Sequence, residues 1–217
     1  MGDYHDEKIR TLFLQMCVRA ESMVRLSVRS VLERDSALGR SVVGSDREID
    51  RLEVEIDRRC MIALARGADT LQVRMLSTIM KMVTDLERIG DLSVNIAERG
   101  LDLSKGTGME AGEPLRKMAQ LASSMIAGAA EAFIARDAQA ATRLISWDQE
   151  IDALNRDNFE RLLGLMSAHP AQVDRALALT SISKHLERVG DHAVNLCEMV
   201  VFLVEGTDLR HGGIVDA

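Results

Sequence analysis

Apolar residues recur every three or four positions along most of the chain, which is the spacing of one face of an α-helix. Ile9, Phe13, Met16 and Ala20 show this spacing near the start. The pattern predicts three helices in the first half, at about 3–34, 36–66 and 69–99, and three in the second half, at about 114–136, 137–167 and 171–205.

Local signals predict where several of these helices begin and end. Asp69 is a suitable N-cap for the third helix, and Gly100 and Gly206 are suitable C-terminal stops. The polar, Gly-containing stretch 101–114 is the best candidate for a linker, and His169-Pro170 interrupts the second half.

The two halves are related by an internal repeat. TDLERIGDLSVNIAE at 84–98 matches KHLERVGDHAVNLCE at 184–198, and SDREIDRL at 45–52 matches WDQEIDAL at 147–154. Two matching blocks in the same order and at nearly one spacing indicate duplication. We therefore predict an all-α fold of two tandem pseudo-symmetric three-helix bundles, six long helices in all, with repeats at 1–104 and 113–217.

Composition supports this fold and narrows the function. Aromatic residues make up 3%, and Gly and Pro number 15 and 2, so helix formers dominate. The net charge is −7, and the sequence shows none of the clustered basic residues that are typical of nucleic-acid-binding proteins. Three cysteines without a CxxC pair, a polar start and no apolar run of about 20 residues predict a cytoplasmic protein, with at most peripheral membrane association through partners.

Carboxylates line one face of several predicted helices, because residues four apart share a helix face. The second helix carries Asp46, Asp50, Glu53 and Asp57 in one stripe. The third carries Glu87 and Asp91, and the second half carries Asp148, Asp152, Glu187 and Asp191.

Like charges at this spacing destabilise a helix by about 0.2–0.5 kcal/mol per pair, and a bound cation would offset that cost. Oxygen ligands suit hard ions such as Mg²⁺, Mn²⁺, Ca²⁺ or iron rather than zinc. A solvated acidic surface, neutralised by Arg51, Arg58, Arg88 and Arg188, is the alternative. We see no catalytic arrangement of Ser, His and Asp or of Cys and His.

Two glycines and two histidines stand out in the repeated helices. Gly90 and Gly190 lie in mid-helix, where Gly costs about 1 kcal/mol relative to Ala, and close helix packing is the first explanation. His185 and His192 fall roughly opposite Glu187 on the helix wheel. We therefore expect them in the core or at an interface rather than among ligands.

The duplicated LER[IV]GD signature resembles that of the PhoU family of phosphate-uptake regulators. YHDEKIRTLFLQM at 4–16 resembles the family's first helix, EIDRLEVEIDRRC at 48–60 its second, and 186–211 its C-terminal end. The resemblance covers nearly the whole chain.

The resemblance implies a cytoplasmic protein without catalytic activity, which acts as a negative regulator of phosphate uptake and phosphate-starvation signalling. It implies two partners, the ATPase of the Pst phosphate transporter and a PhoR-like sensor histidine kinase. It also implies multinuclear iron or zinc clusters on E/DxxxD pairs. Those pairs fall here on Glu87/Asp91, Glu187/Asp191, Glu53/Asp57, Asp46/Asp50 and Asp148/Asp152. We expect a homodimer from the long exposed helix faces, and no bound nucleic acid.

The two repeats are not identical in their acidic pairs. Asn155 and Phe159 replace a second E/DxxxD pair in the second repeat, so we expect unequal sites.

Two further interpretations belong to other functional classes. A carboxylate-bridged di-metal oxidoreductase is one alternative, but such bundles use Glu-x-x-His motifs and the sequence contains none. A purely structural helical scaffold is the other.

Overall fold

A computed structural model describes residues 2–104 and 112–207. Its helices are α1 Gly2–Glu33, α2 Ser36–Ala65, α3 Thr70–Ser104, α4 Gly112–Ala135, α5 Ala138–Ile145, α6 Asp148–Ala168 and α7 Val173–Glu205, with a 3₁₀ turn at Pro170–Gln172. The described residues contain no strand. The predicted all-α plan of two three-helix repeats is confirmed, with α5 and α6 together forming the fifth predicted helix.

Side-chain caps define several helix starts. Asp69 accepts a hydrogen bond from the Gln72 backbone N–H at 2.9 Å, and the Asp69 N–H donates to the Gln72 amide oxygen at 3.2 Å. This reciprocal pair is a capping box, which confirms the predicted start of α3. At the end of the last helix, Gly206 terminates α7 with φ +79°, as predicted.

The first two helices of each repeat are joined by the same Arg-Asp turn. Arg34 and Arg136 adopt left-handed backbone angles, with φ values of 56° and 53°. Asp35 then caps α2, and Asp137 caps α5, each through its carboxylate. The RD dipeptide at 34–35 and 136–137 is therefore a third element of the duplication.

Two predicted boundaries were wrong. Gly100 does not end α3, which continues to Ser104. A Cβ at position 100 would lie 2.8 Å from Val31 Cγ2, so this Gly permits close packing of α1 on α3. The linker is correspondingly shorter than 101–114, since 101–104 and 112–114 are helical and the rest lies outside the described residues.

The predicted helix at 137–167 is interrupted between α5 and α6. Ser146 and Trp147 have ψ values of −17° and −20°, close to 3₁₀ geometry. The Trp147 N–H accordingly bonds to the Leu144 carbonyl at 3.0 Å, a three-residue closure. The backbone thus adopts 3₁₀ geometry for one turn between α5 and α6, and the chain then continues as an α-helix.

The two repeats share one core. α1 packs against α2 and α3 of its own repeat and against α4 of the other, while α7 packs against α3, α4, α5 and α6. Phe13 and Phe133 join α1 to α4, with ring centroids 4.8 Å apart. A single cluster of buried apolar residues therefore runs through both repeats, and the two signature helices α3 and α7 lie side by side.

Among the described helices, α4 is the one whose length and composition would allow a membrane span. Half of its apolar stretch is buried within the protein. The buried side chains include Leu115, Met118 and Ile126, which belong to the shared core. Its packing on α1 and α7 accounts for its apolar character.

Candidate functional site

The predicted carboxylates of the first repeat lie along the contact between α2 and α3, where the charges of the two helices act on one another. This set of carboxylates is here called the first acidic groove. It comprises Asp46, Asp50, Glu53 and Asp57 of α2 with Glu87 and Asp91 of α3. α2 and α3 pack closely beneath it, since a Cβ on Gly90 would lie 3.3 Å from Ile49 Cγ2. The structure therefore brings the carboxylates of two helices to the same groove.

The carboxylates of this groove oppose one another's ionisation. Loss of hydration is the main reason why the pKa of Asp46 is raised, followed by the charges of Asp50 and Asp91. The pKa of Glu53 is raised by loss of hydration and then by Asp57 and Asp50. The first acidic groove is thus a concentrated negative site.

Arg88 is a cationic neighbour of the carboxylates on the α3 side of the groove. Loss of hydration and the Asp91 charge raise the pKa of Glu87, although the guanidinium of Arg88 acts in the opposite direction. Arg88 lies 3.1 Å from an Asp91 carboxylate oxygen and 3.3 Å from a Glu87 oxygen. Because Arg88 is more than half exposed, these ion pairs are weak, and a bound cation can replace them.

The second acidic groove lies between α6 and α7 and comprises Asp148, Asp152, Glu187 and Asp191. Loss of hydration, followed by the charges of Asp152, Asp191 and Glu187, raises the pKa of Asp148 from 3.8 to about 6. Loss of hydration and Glu187 also raise the pKa of Asp191. Lys184 pairs with Glu187 at 2.6 Å.

The repeated glycines allow each pair of helices to pack closely, as predicted. A Cβ on Gly190 would lie 2.8 Å from Asp148 Oδ1 and 3.0 Å from Ile151 Cδ1. In the first repeat, the corresponding Cβ on Gly90 would contact Ile49. Because Gly190 has no side chain, the Asp148 carboxylate can lie beside the α7 backbone in the second repeat.

The second groove differs from the first where Asn155 and Phe159 replace carboxylates. The Ser183 hydroxyl donates to Asn155 Oδ1 at 2.8 Å, so Asn155 contributes to α6–α7 packing. Phe159 is 49% exposed and cannot ligate an ion. The second groove accordingly holds four carboxylates and the first holds six.

The donor chemistry of both grooves fits a hard cation. Asp57 Oδ1 and Asp148 Oδ1 are buried and make no hydrogen bond, and such atoms are costly to bury unpaired. However, within residues 2–104 and 112–207 no three His, Cys, Asp or Glu side chains are placed closely enough to hold an ion. Side-chain rotation would have to close a ligand set on a metal.

The two histidines lie outside the grooves, as predicted. His192 Nδ1 lies 2.8 Å from Asp85 Oδ1, and the Asn195 amide donates to the same oxygen at 3.0 Å. This contact links α3 of one repeat to α7 of the other. The sequence analysis did not single out Asp85, whose counterpart in the duplicated block is His185.

His185 is partly buried and lies 3.3 Å from the Ser181 hydroxyl. Burial lowers the pKa of His185, and the positive charges of Arg188 and Arg99 lower it further. A neutral imidazole is therefore favoured here, which agrees with an interface residue rather than an ion-pairing one.

The fold and grooves together define a class: a duplicated helical protein with an acidic groove in each repeat and a core shared between the repeats. The PhoU domain model matches residues 13–100 and again 115–200. The chain belongs to the PhoU family.

Relatives of known sequence and structure agree with this assignment. The chain is 34% identical to the phosphate-specific transport system accessory protein PhoU homolog of Pseudomonas putida, over 96% of this chain and 82% of that protein. It is 35% identical to PhoU homolog 1 of Thermotoga maritima, over 85% and 80%.

Two crystal structures share the fold over nearly the whole chain. PhoU from Pseudomonas aeruginosa matches with a TM-score of 0.91 and 31% identity, covering 95% of this chain and 100% of that one. The regulatory protein PhoU from Streptococcus pneumoniae matches with a TM-score of 0.88 and 25% identity, covering 100% of both.

Proposed function

We propose that the protein is a negative regulator of phosphate uptake and phosphate-starvation signalling. It acts as a cytoplasmic adaptor between the ATPase of a phosphate-specific transporter and a sensor histidine kinase, and it catalyses no reaction itself. Membership of the PhoU family carries this proposal, because relatives matched over most of their length are named accessory proteins of phosphate-specific transport. The two acidic grooves are surfaces suited to basic partner segments or cations.

Deletion of the gene tests the regulatory role. In phosphate-rich medium we expect a phosphate-starvation reporter to be derepressed in the deletion strain, and phosphate uptake to rise. A plasmid copy of the wild-type gene should restore repression. Unchanged reporter activity together with unchanged uptake would contradict the proposal.

We further propose that the grooves bind hard metal ions, with iron, manganese or magnesium as the candidates and zinc as a less suitable one. Glu187 and Asp191 of α7, with Asp148 and Asp152 of α6, would hold an ion in the second groove. The support is the pKa of Asp148 at about 6 and its buried, unpaired Oδ1. A cation would lower the cost of ionising these carboxylates and would supply charge for binding partners.

Elemental analysis of protein purified without a histidine tag tests this metal binding. The double variant Glu187→Gln, Asp191→Asn should lose metal from the second groove. A matched double variant, Asp174→Asn with Glu205→Gln, removes the same charge from exposed positions at the two ends of α7 and should retain it. Equal metal content in both variants would show that the second groove is not the site.

The same experiment separates the regulatory adaptor from a purely structural scaffold. A scaffold with solvated acidic faces would contain no metal and would show no affinity for added Mn²⁺ or Fe²⁺. We also propose a homodimer, which light scattering after gel filtration would reveal as about twice the chain mass of 23.9 kDa.

A further inference from the structure

A cavity of about 340 Å³ opens between α1 and α4, at the junction of the two repeats. It shares no lining residue with either acidic groove. Ligand pockets for small organic molecules begin at about 300 Å³, so the volume suits one such molecule. Because α1 belongs to the first repeat and α4 to the second, an occupant would contact both repeats at once.

Three arginines surround this cavity in a protein whose overall charge is −7. Arg25 and Arg29 come from α1, and Arg116 comes from α4. Glu21 is the one acidic side chain among the lining residues. The lining residues alone thus carry more positive than negative charge, while Glu33 and Glu113, just outside the lining, pair with Arg29 and Arg116. Arginine is the side chain best suited to bidentate binding of phosphate.

The arginines are held only weakly by their present partners. Arg25, Arg29 and Arg116 each lie 3.5 Å from a glutamate on their own helix. The three side chains are 65%, 51% and 61% exposed, so solvent screens these pairs. Arg25 and Arg29 are also like charges one helical turn apart, which repel. A bound anion would relieve that repulsion.

The interior of the cavity is aliphatic and carries a few polar groups. Val28 and Leu32 of α1 face Ala119 and Ala127 of α4 across it. Ser123 also lines the cavity, is 7% exposed, and has a hydroxyl without a hydrogen-bond partner. A buried hydroxyl without a partner costs free energy, and rotation about χ1 would allow it to meet a polar ligand group.

We propose that the α1–α4 cavity binds a nucleoside diphosphate. The arginines would hold the phosphates at the mouth, while the base would lie between the aliphatic walls and hydrogen-bond with Ser123 and the neighbouring Gln120. Ser123 is the buried polar side chain of the lining, and Gln120 and Ser124 are exposed at its edge. A heterocycle offers these side chains hydrogen-bond partners, whereas an acyl chain would leave the Ser123 hydroxyl unpaired. Binding would add contacts between α1 and α4, which already pack together, and so link the junction of the two repeats to a cellular nucleotide. The proposal is independent of the acidic grooves.

Calorimetric titration of the full-length protein with ADP tests the site. We expect saturable binding of about one ADP per chain, with much weaker binding of pyrophosphate, adenosine and octyl phosphate. Equal affinity for pyrophosphate would overturn the proposal in favour of a simple anion patch. Tighter binding of octyl phosphate would overturn it in favour of an acyl-chain site, and absence of saturable ADP binding would overturn it outright.

Two sets of variants locate the binding. Arg25→Gln with Arg29→Gln should weaken ADP binding at least about tenfold, through loss of charge-assisted contacts. The control pair Arg40→Gln with Arg47→Gln, on the exposed surface of α2, changes the charge equally and should leave affinity within about twofold. Ala127→Leu keeps the charge but fills the cavity, and should abolish binding. Loss of affinity in the control pair, or full affinity in Ala127→Leu, would place the site elsewhere.

Discussion

Replacing Asp148 with Asn should stabilise the protein at neutral pH in the absence of metal. Asp148 lies beside Gly190, where its Oδ1 is buried and makes no hydrogen bond. Its pKa is about 6 instead of 3.8, because loss of hydration and the charges of Asp152, Asp191 and Glu187 oppose ionisation. The neutral amide of Asn removes this electrostatic cost.

The sign of the effect follows from proton linkage. Between about pH 4 and pH 6 the folded protein holds a proton at position 148 that the unfolded chain has lost, so stability falls as pH rises through this range. Above pH 6 the cost is fully present, and below pH 4 it is absent. The pKa difference of about 2 corresponds to at most about 3 kcal/mol. Because the carboxyl is partly exposed, screening by water reduces the expected cost to about 1 kcal/mol.

Urea unfolding in the presence of EDTA measures this difference. We expect Asp148→Asn to exceed wild type by about 1 kcal/mol at pH 7.5 and to match it at pH 4, where both side chains are uncharged. Asp157→Asn, at an exposed position of α6, should show no such pH-dependent gain. A stability difference that is equal at both pH values, or a loss at pH 7.5, would refute the electrostatic explanation.

Three other predictions concern caps, glycines and the contact between repeats. Asp35→Ala should cost about 1 kcal/mol in urea unfolding, and Asp35→Ser should restore most of it, because the carboxylate caps α2. Gly190→Ala should destabilise by about 1–3 kcal/mol through overpacking, whereas Gly164→Ala, with nothing within 4 Å of its added Cβ, should stabilise by about 0.5–1 kcal/mol. A double-mutant cycle of Asp85→Ala and His192→Ala should give a coupling energy of about 1 kcal/mol. If the changes in unfolding free energy caused by Asp85→Ala and His192→Ala simply add, the contact between these two side chains does not stabilise the packing of the repeats.

The helical fold was predictable because periodicity and duplication determine the faces of each helix. The capping box at Asp69 and the left-handed Gly206 were also visible as local signals. Gly100 shows where such signals fail. The same residue type ends a helix or permits close packing, and only the position of Val31 on a neighbouring helix decides between them. Likewise, Arg34 gave no signal of its left-handed angle, since arginine has no preference for that conformation.

The helix faces that carry the candidate carboxylates were predictable, but the arrangement of those carboxylates was not. Glu87 and Asp91 are four residues apart, which places them on one face of α3. Because the connection between α2 and α3 is short, the two helices pack side by side, and this face lies next to the carboxylates of α2. Whether these carboxylates close on an ion depends on side-chain rotation, which sequence does not determine. The contact of Asp85 with His192 could not be predicted, because it depends on how two repeats pack rather than on the pattern within one.

Recovery of partners from phosphate-replete cells tests the adaptor role most directly. Full-length protein with a small C-terminal affinity tag should recover both the transporter ATPase and the sensor kinase, in amounts that fall when the cells are starved of phosphate. Recovery of neither protein, in cells where the tagged copy restores repression of the starvation reporter, would contradict the adaptor mechanism.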